Sequence, residues 1–248
     1  MIVCRSQGEV ERIREAGRVV AEALELAETM MEPGVRTLEI DARIEAHIKS
    51  RGGKPAFKGY RGFPASTCIS IDEVVVHGIP GPRALAAGQI VGVDVGVELN
   101  GYFADAARTF AVGDVAEEVS RLMAVGKNAL GAGISAAIPG NHLFDISAAV
   151  QKVAESAGYS VVREYVGHGI GREMHEDPQI PNYAQTSRGP ELKVGMVLAL
   201  EPMINMGDYD VEVLADKWTV VTKDRRPSVH YEHTIALSED EPKILTLL

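Results

Sequence analysis

The stretch from Gln89 to Phe110 reads QIVGVDVGVELNGYFADAARTF: an apolar strand carrying Asp94, an Asn100-Gly101 break, and a returning strand carrying Asp105. Asn-Gly favours a type I′ hairpin turn, in which both central residues take positive φ. With that turn Leu99 faces Tyr102 and Asp94 faces Ala107. Asp105 then lies two residues from the partner of Asp94, and the carboxylates share one face as a diagonal pair. Val91, Val93, Val95 and Val97 mark the first strand as buried. Two carboxylates on one face of a buried hairpin need a counter-charge, because an unpaired buried carboxylate is very costly. A divalent metal meets that need; the alternative is a surface hairpin with two solvated acids.

The remaining composition narrows the class. The 248 residues, 46% of them hydrophobic, suffice for one large α/β domain or two small ones. A net charge of −10 and a pI near 5.2 argue against nucleic acid as a principal partner. Cys4 and Cys68 form no CxxC or zinc-ribbon spacing, and so low a count fits a reducing cytosol. The N-terminal MIVCRSQGEVERIREAG turns charged and helical within five residues, unlike a signal peptide, and no apolar run has the length of a membrane span.

Along the chain, Ser6-Gln7-Gly8-Glu9 reads as a capping box opening a helix with Ile13, Val20, Leu24 and Ala27 on its apolar side. Pro33-Gly34 stops it, and a second helix runs from about Thr37 to Gly52-Gly53. A loop from Lys54 to Pro64 and a strand from about Cys68 to Val76 lead into the hairpin. Asp114 to Glu117 reads as a further cap, followed by a helix to Pro139-Gly140 and another ending at Gly158.

That order contains a repeat. Residues 33–52 and 139–158 match at six of twenty positions with an offset of 106, including Pro33/Pro139, Gly34/Gly140 and Gly52/Gly158. GQIVGVD, ending at Asp94, and GMVLALE, ending at Glu201, align at an offset of 107 with acid over acid. Each half, roughly 1–112 and 113–248, therefore runs helix, helix, then strands bearing a buried acid. Two such halves pack about a pseudo-two-fold axis in a single domain spanning 1–248, with no linker between them.

The second half supplies more candidate ligands. Glu201 ends an apolar strand before Pro202, Glu232 sits in HYEHTIAL, and His168 lies in the glycine-rich VGHGIGREMH. His77 and His175 also occupy strand-end or glycine-rich turns, where a structural histidine is the competing reading. Asp94, Asp105, His168, Glu201 and Glu232, if they converge, suit harder divalent ions such as Mn, Fe or Co, with Zn also accommodated. Four negative charges balance two such cations, and paired ions can activate water and polarise a carbonyl. There is no P-loop, GxSxG or HExxH, and Arg172 stands where GxGxxG needs glycine.

HGIP at 77–80, YVGHGIGREMHEDPQIP at 165–181, EPMI at 201–204 and YEHTI at 231–235, with the spacing of the five ligand candidates, resemble type I methionine aminopeptidase over nearly the whole chain. The resemblance implies an α/β fold of the α+β type, the pita-bread fold, with two pseudo-symmetric helix-helix-strand halves around a central antiparallel sheet. It implies a dinuclear site in which Asp105 and Glu232 bridge two metals, Asp94 holds one, and His168 and Glu201 hold the other. The implied reaction removes the N-terminal methionine of nascent polypeptides, with a small second residue preferred, by attack of a metal-bridging hydroxide. Glu201 would shuttle the proton, His175 would stabilise the oxyanion, and His77 would position the peptide beyond the scissile bond. Tyr60, Phe63, Cys68, Met174 and Trp218, with Phe57 at the entrance, would line a pocket whose soft and aromatic groups suit a thioether.

Two positions depart from the family pattern. Met174 stands where Phe is frequent, which implies a more pliable pocket. The family's monovalent-cation site maps to Asp72, Val74 and Ser228, and Asp72 replaces a common Asn; it either strengthens cation binding or removes the need for it. The short Glu201–Glu232 interval excludes the helical insertion of the type II enzymes, and the chain lacks the N-terminal domain usual in prolidases and aminopeptidase P. Because all five ligands are present, an enzyme is expected rather than a metal-free binding protein. The resemblance further implies a cytoplasmic monomer acting near the ribosomal exit tunnel. An acidic chain docking there needs a local basic patch, for which Lys223, Arg225 and Arg226 are candidates, a solvated loop being the competing reading.

Overall fold

The computed structural model describes residues 1–248. Its hairpin pairs strands Ile90–Leu99 and Tyr102–Ala111 along their whole length, with Leu99 opposite Tyr102, Asp94 opposite Ala107 and Gly96 opposite Asp105. Asn100 and Gly101 take φ of 52° and 78°, the doubly left-handed turn that Asn-Gly favours. The four valines are fully buried, so the register is held by the core.

Four helices cover the strands: α1 (Gln7–Glu28), α2 (Thr37–Ser50), α3 (Glu117–Ala136) and α4 (Leu143–Ser156). The Ser6–Glu9 capping box forms, and Ile13, Val20, Leu24 and Ala27 face the core. Two local expectations need correction. Ala116, not Asp114, is the N-cap of α3 and makes no side-chain bond; Glu117 and Glu118 supply the acidic first turn that favours a helix N-terminus. The Cys68–Val76 strand breaks into Thr67–Ile71 and Val74–Val76. At the break Asp72 has φ 53°, and its carboxylate accepts bonds from the Ile90 amide (3.0 Å) and the Gln89 side chain (2.8 Å).

The repeat is carried in the backbone. Gly34 and Gly140 have φ of 93° and 88°, Gly52 and Gly158 78° and 86°, and Gly88 and Gly195 89° and 88°. Glycine stands at both members of each pair because other L-residues rarely adopt that conformation. The two N-caps match as well: the Arg36 amide donates to Glu39 and the His142 amide to Asp145, each at 2.9 Å. One large apolar cluster joins α1 and α2 to the hairpin, and a second joins α3 and α4 to strands such as Val197–Leu200.

All strand pairs are antiparallel, but the sheet is broken into segments rather than forming one ladder. Glu201 and Pro202 separate Val197–Leu200 from Met203–Asn205, and Tyr231 and Glu232 separate Ser228–His230 from His233–Ala236. At these breaks the second half turns to the hairpin. The Glu232 amide donates to Ala107 O (2.8 Å), Thr109 Oγ1 donates to His230 O (2.9 Å), and the Asp105 amide donates to Thr234 Oγ1 (3.1 Å).

Helix α2 anchors the loop before Thr67. Asp41 Oδ1 accepts from the Ser66 and Thr67 amides at 3.0 and 2.8 Å. One turn later Glu45 accepts from Lys49, from Lys58 (2.7 Å) and from Ser66 Oγ (2.8 Å). The two lysines, followed by Ser66, hold the Glu45 pKa down near 2, against 4.5 ordinarily. A depressed carboxylate stabilises the fold above its unfolded pKa and loses that contribution as pH falls from about 4.5 towards 2. Glu45→Gln is expected to cost about 1 kcal/mol near pH 7, the exposed lysines being screened. In thermal melts the gap from wild type should close by about pH 2; a gap independent of pH would show that Glu45 acts only through packing.

Candidate metal centre

The five acidic and imidazole candidates line one cavity of about 150 Å³ where the halves meet. Asp94 and Asp105 come from the hairpin, His168 from strand Gly167–Gly169, and Glu201 and Glu232 from the two sheet breaks. Ligand atoms of Asp105, His168 and Glu232 all lie within 4.8 Å of one another. His168 Nε2 is 3.6 Å from Asp105 Oδ2 and 3.5 Å from Glu201 Oε1. His168 Nδ1 bonds to Gly169 O at 2.9 Å, and since a carbonyl only accepts, Nδ1 carries the proton and aims Nε2 into the cavity. Thr234 Oγ1 donates to Asp105 O (2.8 Å) and lies 3.3 Å from Asp105 Oδ1, fixing that side chain from below.

Electrostatically the cluster is unbalanced. Burial, then Asp105 and Glu201, raises Asp94 well above the carboxylate range; burial, then Asp105, Glu201 and Asp94, does the same to Glu232. Burial lifts Glu201 to about 8, with His168 opposing and Asp105 reinforcing it. For His168 burial works downward, but Asp105 and Glu201 override it and hold the ring charged up to about 9. Asp94 Oδ1 and Glu232 Oε1 are buried without a hydrogen-bond partner. An acid-rich oxygen donor set with one imidazole and orphaned buried oxygens fits hard divalent cations, whose binding would displace the trapped protons.

The pocket candidates gather beside this cluster. Phe63 and Cys68 are buried together, and the Phe63 and Trp218 rings meet edge to face at 5.1 Å. Phe57, Tyr60 and Met174 complete the wall. Gly96 makes room for them: a Cβ there would lie 2.7 Å from the Phe57 ring and 3.1 Å from Met174 Cε. Burial, reinforced by Asp94, pushes the Cys68 thiol far up, so it is no nucleophile. His77 (φ 58°) packs edge-on against Tyr165 and Trp218. His175 stacks on Tyr60 and shares a 2.9 Å bond between its Nδ1 and the tyrosine hydroxyl. Burial and the charged His168 lower its pKa to about 4, leaving a neutral ring at neutral pH.

Asp72, Val74 and Ser228 lie outside the cavity, with the Ser228 amide donating to Asp72 O at 2.9 Å. The Asp72 carboxylate is committed to Ile90 and Gln89, with Arg83 at 3.9 Å. Lys223 pairs with Asp210 and Arg225 with Glu212, so this segment is a mixed-charge surface rather than a bare basic patch.

Residue reasoning on the sequence passed over Arg61, which lines the cavity mouth with its guanidinium 5.4 Å from the Tyr60 ring centroid. It also passed over His230, whose Nε2 lies 3.9 Å from Glu201 Oε2. Strand alternation flags the latter, because 228, 230 and 232 share a parity. Burial lowers the His230 pKa to about 3.

The sequence pattern of metallopeptidase family M24 matches residues 11–239. The methionine aminopeptidase of Clostridium acetobutylicum is 50% identical over 248 residues, covering 100% of this chain and 99% of that protein. The crystal structure of methionine aminopeptidase from Rickettsia prowazekii superposes with a TM-score of 0.98 at 42% identity, covering 100% of both chains. Prolidase from Pyrococcus furiosus superposes at 0.81 with 26% identity, and this chain covers 66% of its length. The shared pita-bread architecture and full-length identity have one reading: the chain belongs to metallopeptidase family M24 and, within it, to the methionine aminopeptidases.

Proposed function

We propose that the chain is a metal-dependent aminopeptidase that removes the N-terminal methionine from nascent proteins, preferring a small second residue, with residues 1–248 forming one catalytic domain. The observation that carries this reading is the junction of a buried carboxylate–imidazole cluster with a soft, aromatic pocket in one cavity. Asp94, Asp105, His168, Glu201 and Glu232 would together hold two divalent ions, Mn, Fe, Co or Zn. When bound, such ions supply Lewis acidity and lower the pKa of water.

The chain's own groups do the rest. Phe63, Cys68, Met174 and Trp218 receive the methionine side chain, while Phe57 and Tyr60 close the pocket. Neutral His175, steadied by the Tyr60 hydroxyl, offers an N–H to the scissile carbonyl oxygen as negative charge develops there. Glu201 takes the proton of the attacking water and delivers it to the leaving amine. His77 holds the peptide beyond the scissile bond. Main-chain groups around Asp72, Val74 and Ser228 would hold a monovalent cation. The working form would be a cytoplasmic monomer acting on chains at the ribosomal exit; no helix is long and apolar enough to cross a membrane.

Stripped protein should release Met from Met-Ala-Ser only after addition of Mn, Fe or Co, and should leave Leu-Ala-Ser and Ala-Pro intact. Cleavage of Ala-Pro in place of Met-Ala-Ser would move the assignment to the prolidase branch. Glu201→Gln should lower kcat by about 10²–10⁴-fold in folded, metallated protein; near-normal turnover would remove Glu201 from proton transfer. Divalent metal should raise the melting temperature by linkage. A raised carboxylate favours folding only while protonated, so the metal-free fold loses stability as pH rises from about 4.5 to about 8. The metal-induced gain should widen across that window, and an increment flat with pH would contradict a buried acid cluster.

A further inference from the structure

His230 is 4% exposed, and its Nε2 is buried without a hydrogen-bond partner. Strand Ser228–His230 explains its direction. Val229 and Tyr231 point to the second core, where they pack so closely on α3 that a Cβ on Gly126 would lie 2.7 Å from Val229 Cγ2. Alternation sends His230 the other way, to the side of Glu232. The backbone there is fixed at both polar atoms by Thr109: the His230 amide donates to Thr109 Oγ1 at 3.0 Å, and that hydroxyl donates to His230 O at 2.9 Å. The ring is therefore held rigidly beside Glu201, with Nε2 3.9 Å from Oε2 while the other carboxylate oxygen lies 3.5 Å from His168. That separation is about 1 Å beyond a hydrogen bond, within reach of a small carboxylate rotation.

We infer that His230 is a positioning residue for Glu201: its Nε2–H donates to Oε2 and holds the carboxylate in the orientation from which it exchanges protons. This rests on the aminopeptidase reading above. A buried imidazole with an idle ring nitrogen destabilises the fold relative to an apolar side chain of similar size, so packing does not account for it. Nor is it a further ligand of the central cluster, since Asp105, His168 and Glu232 come within 4.8 Å of one another without it. What remains is the neighbouring carboxylate, which acts only if its two oxygens keep distinct roles.

The test combines three variants with one spectroscopic measurement. His230→Leu should melt at or above the wild-type temperature, bind the same number of metal ions and keep the wild-type KM for Met-Ala-Ser, while kcat falls about 10–100-fold. His230→Gln places an amide donor in the same region and should recover most of that loss. His230→Leu/Glu201→Gln should be no slower than Glu201→Gln alone. A His230→Leu enzyme with wild-type kcat overturns the inference. So does a His230→Gln enzyme as slow as the leucine variant, or a loss that follows metal content or KM. In the zinc-loaded, substrate-free chain, nitrogen NMR should place the His230 ring proton on Nε2. A proton on Nδ1 overturns the assignment whatever the peptide assays show; a silent peptide assay with the proton on Nε2 instead rejects the aminopeptidase reading.

Discussion

Mutual repulsion among four buried carboxylates is the constraint around which this molecule is arranged. Asp94, Asp105, Glu201 and Glu232 share a small cavity with one imidazole, and burial raises Asp94, Glu201 and Glu232 towards their neutral forms. A protein interior tolerates such a group of acids only when they are neutralised or bound to cations. The surrounding bonds prepare the second state. Gly169 O turns the His168 lone pair inward, Thr234 steadies Asp105, and two acid oxygens are left with nothing to bond.

Neither half of the chain could build this cluster alone. The first contributes an uninterrupted hairpin with a fixed register; the second contributes strands that stop at Glu201 and Glu232. Those interruptions free the backbone to cross to the hairpin at Ala107, Thr109 and Asp105. Two apolar clusters, the first also taking in Ile170, Val197, Ala199, Ala236 and Leu245 of the second half, pack the halves, so the polar seam need not provide the bulk of the stability. The seam can then be devoted to charge and shape, with Gly96 leaving space where a methyl group would meet Phe57.

Much of this was legible in the sequence wherever a local rule had no competitor. Asn100-Gly101 permits few turns, and the valine alternation leaves one register, so the diagonal relation of Asp94 and Asp105 followed directly. The repeated glycines were readable because each marks a left-handed backbone. Local rules failed where a distant partner intervened. Asp72 breaks a strand of favourable composition because its carboxylate bonds to Ile90, and Asp114 resembles a cap while the N-cap falls two residues later, at Ala116. The convergence of His168 with Asp105 is a tertiary fact, and the resemblance to a family, not residue spacing alone, supplied the roles. His230 escaped notice because its importance depends on what Glu201 lacks nearby rather than on any motif.

The distribution of the cluster along the chain also has a consequence in time. Synthesis runs from Met1 onward, so Asp94 and Asp105 are made long before Glu201 and Glu232. Strand His233–Ala236, which carries Thr234 under Asp105, pairs with Val197–Leu200. A copy interrupted short of that strand retains the early acids but has no complete set of donors to gather. The reactive centre therefore cannot assemble before Glu232 has been made.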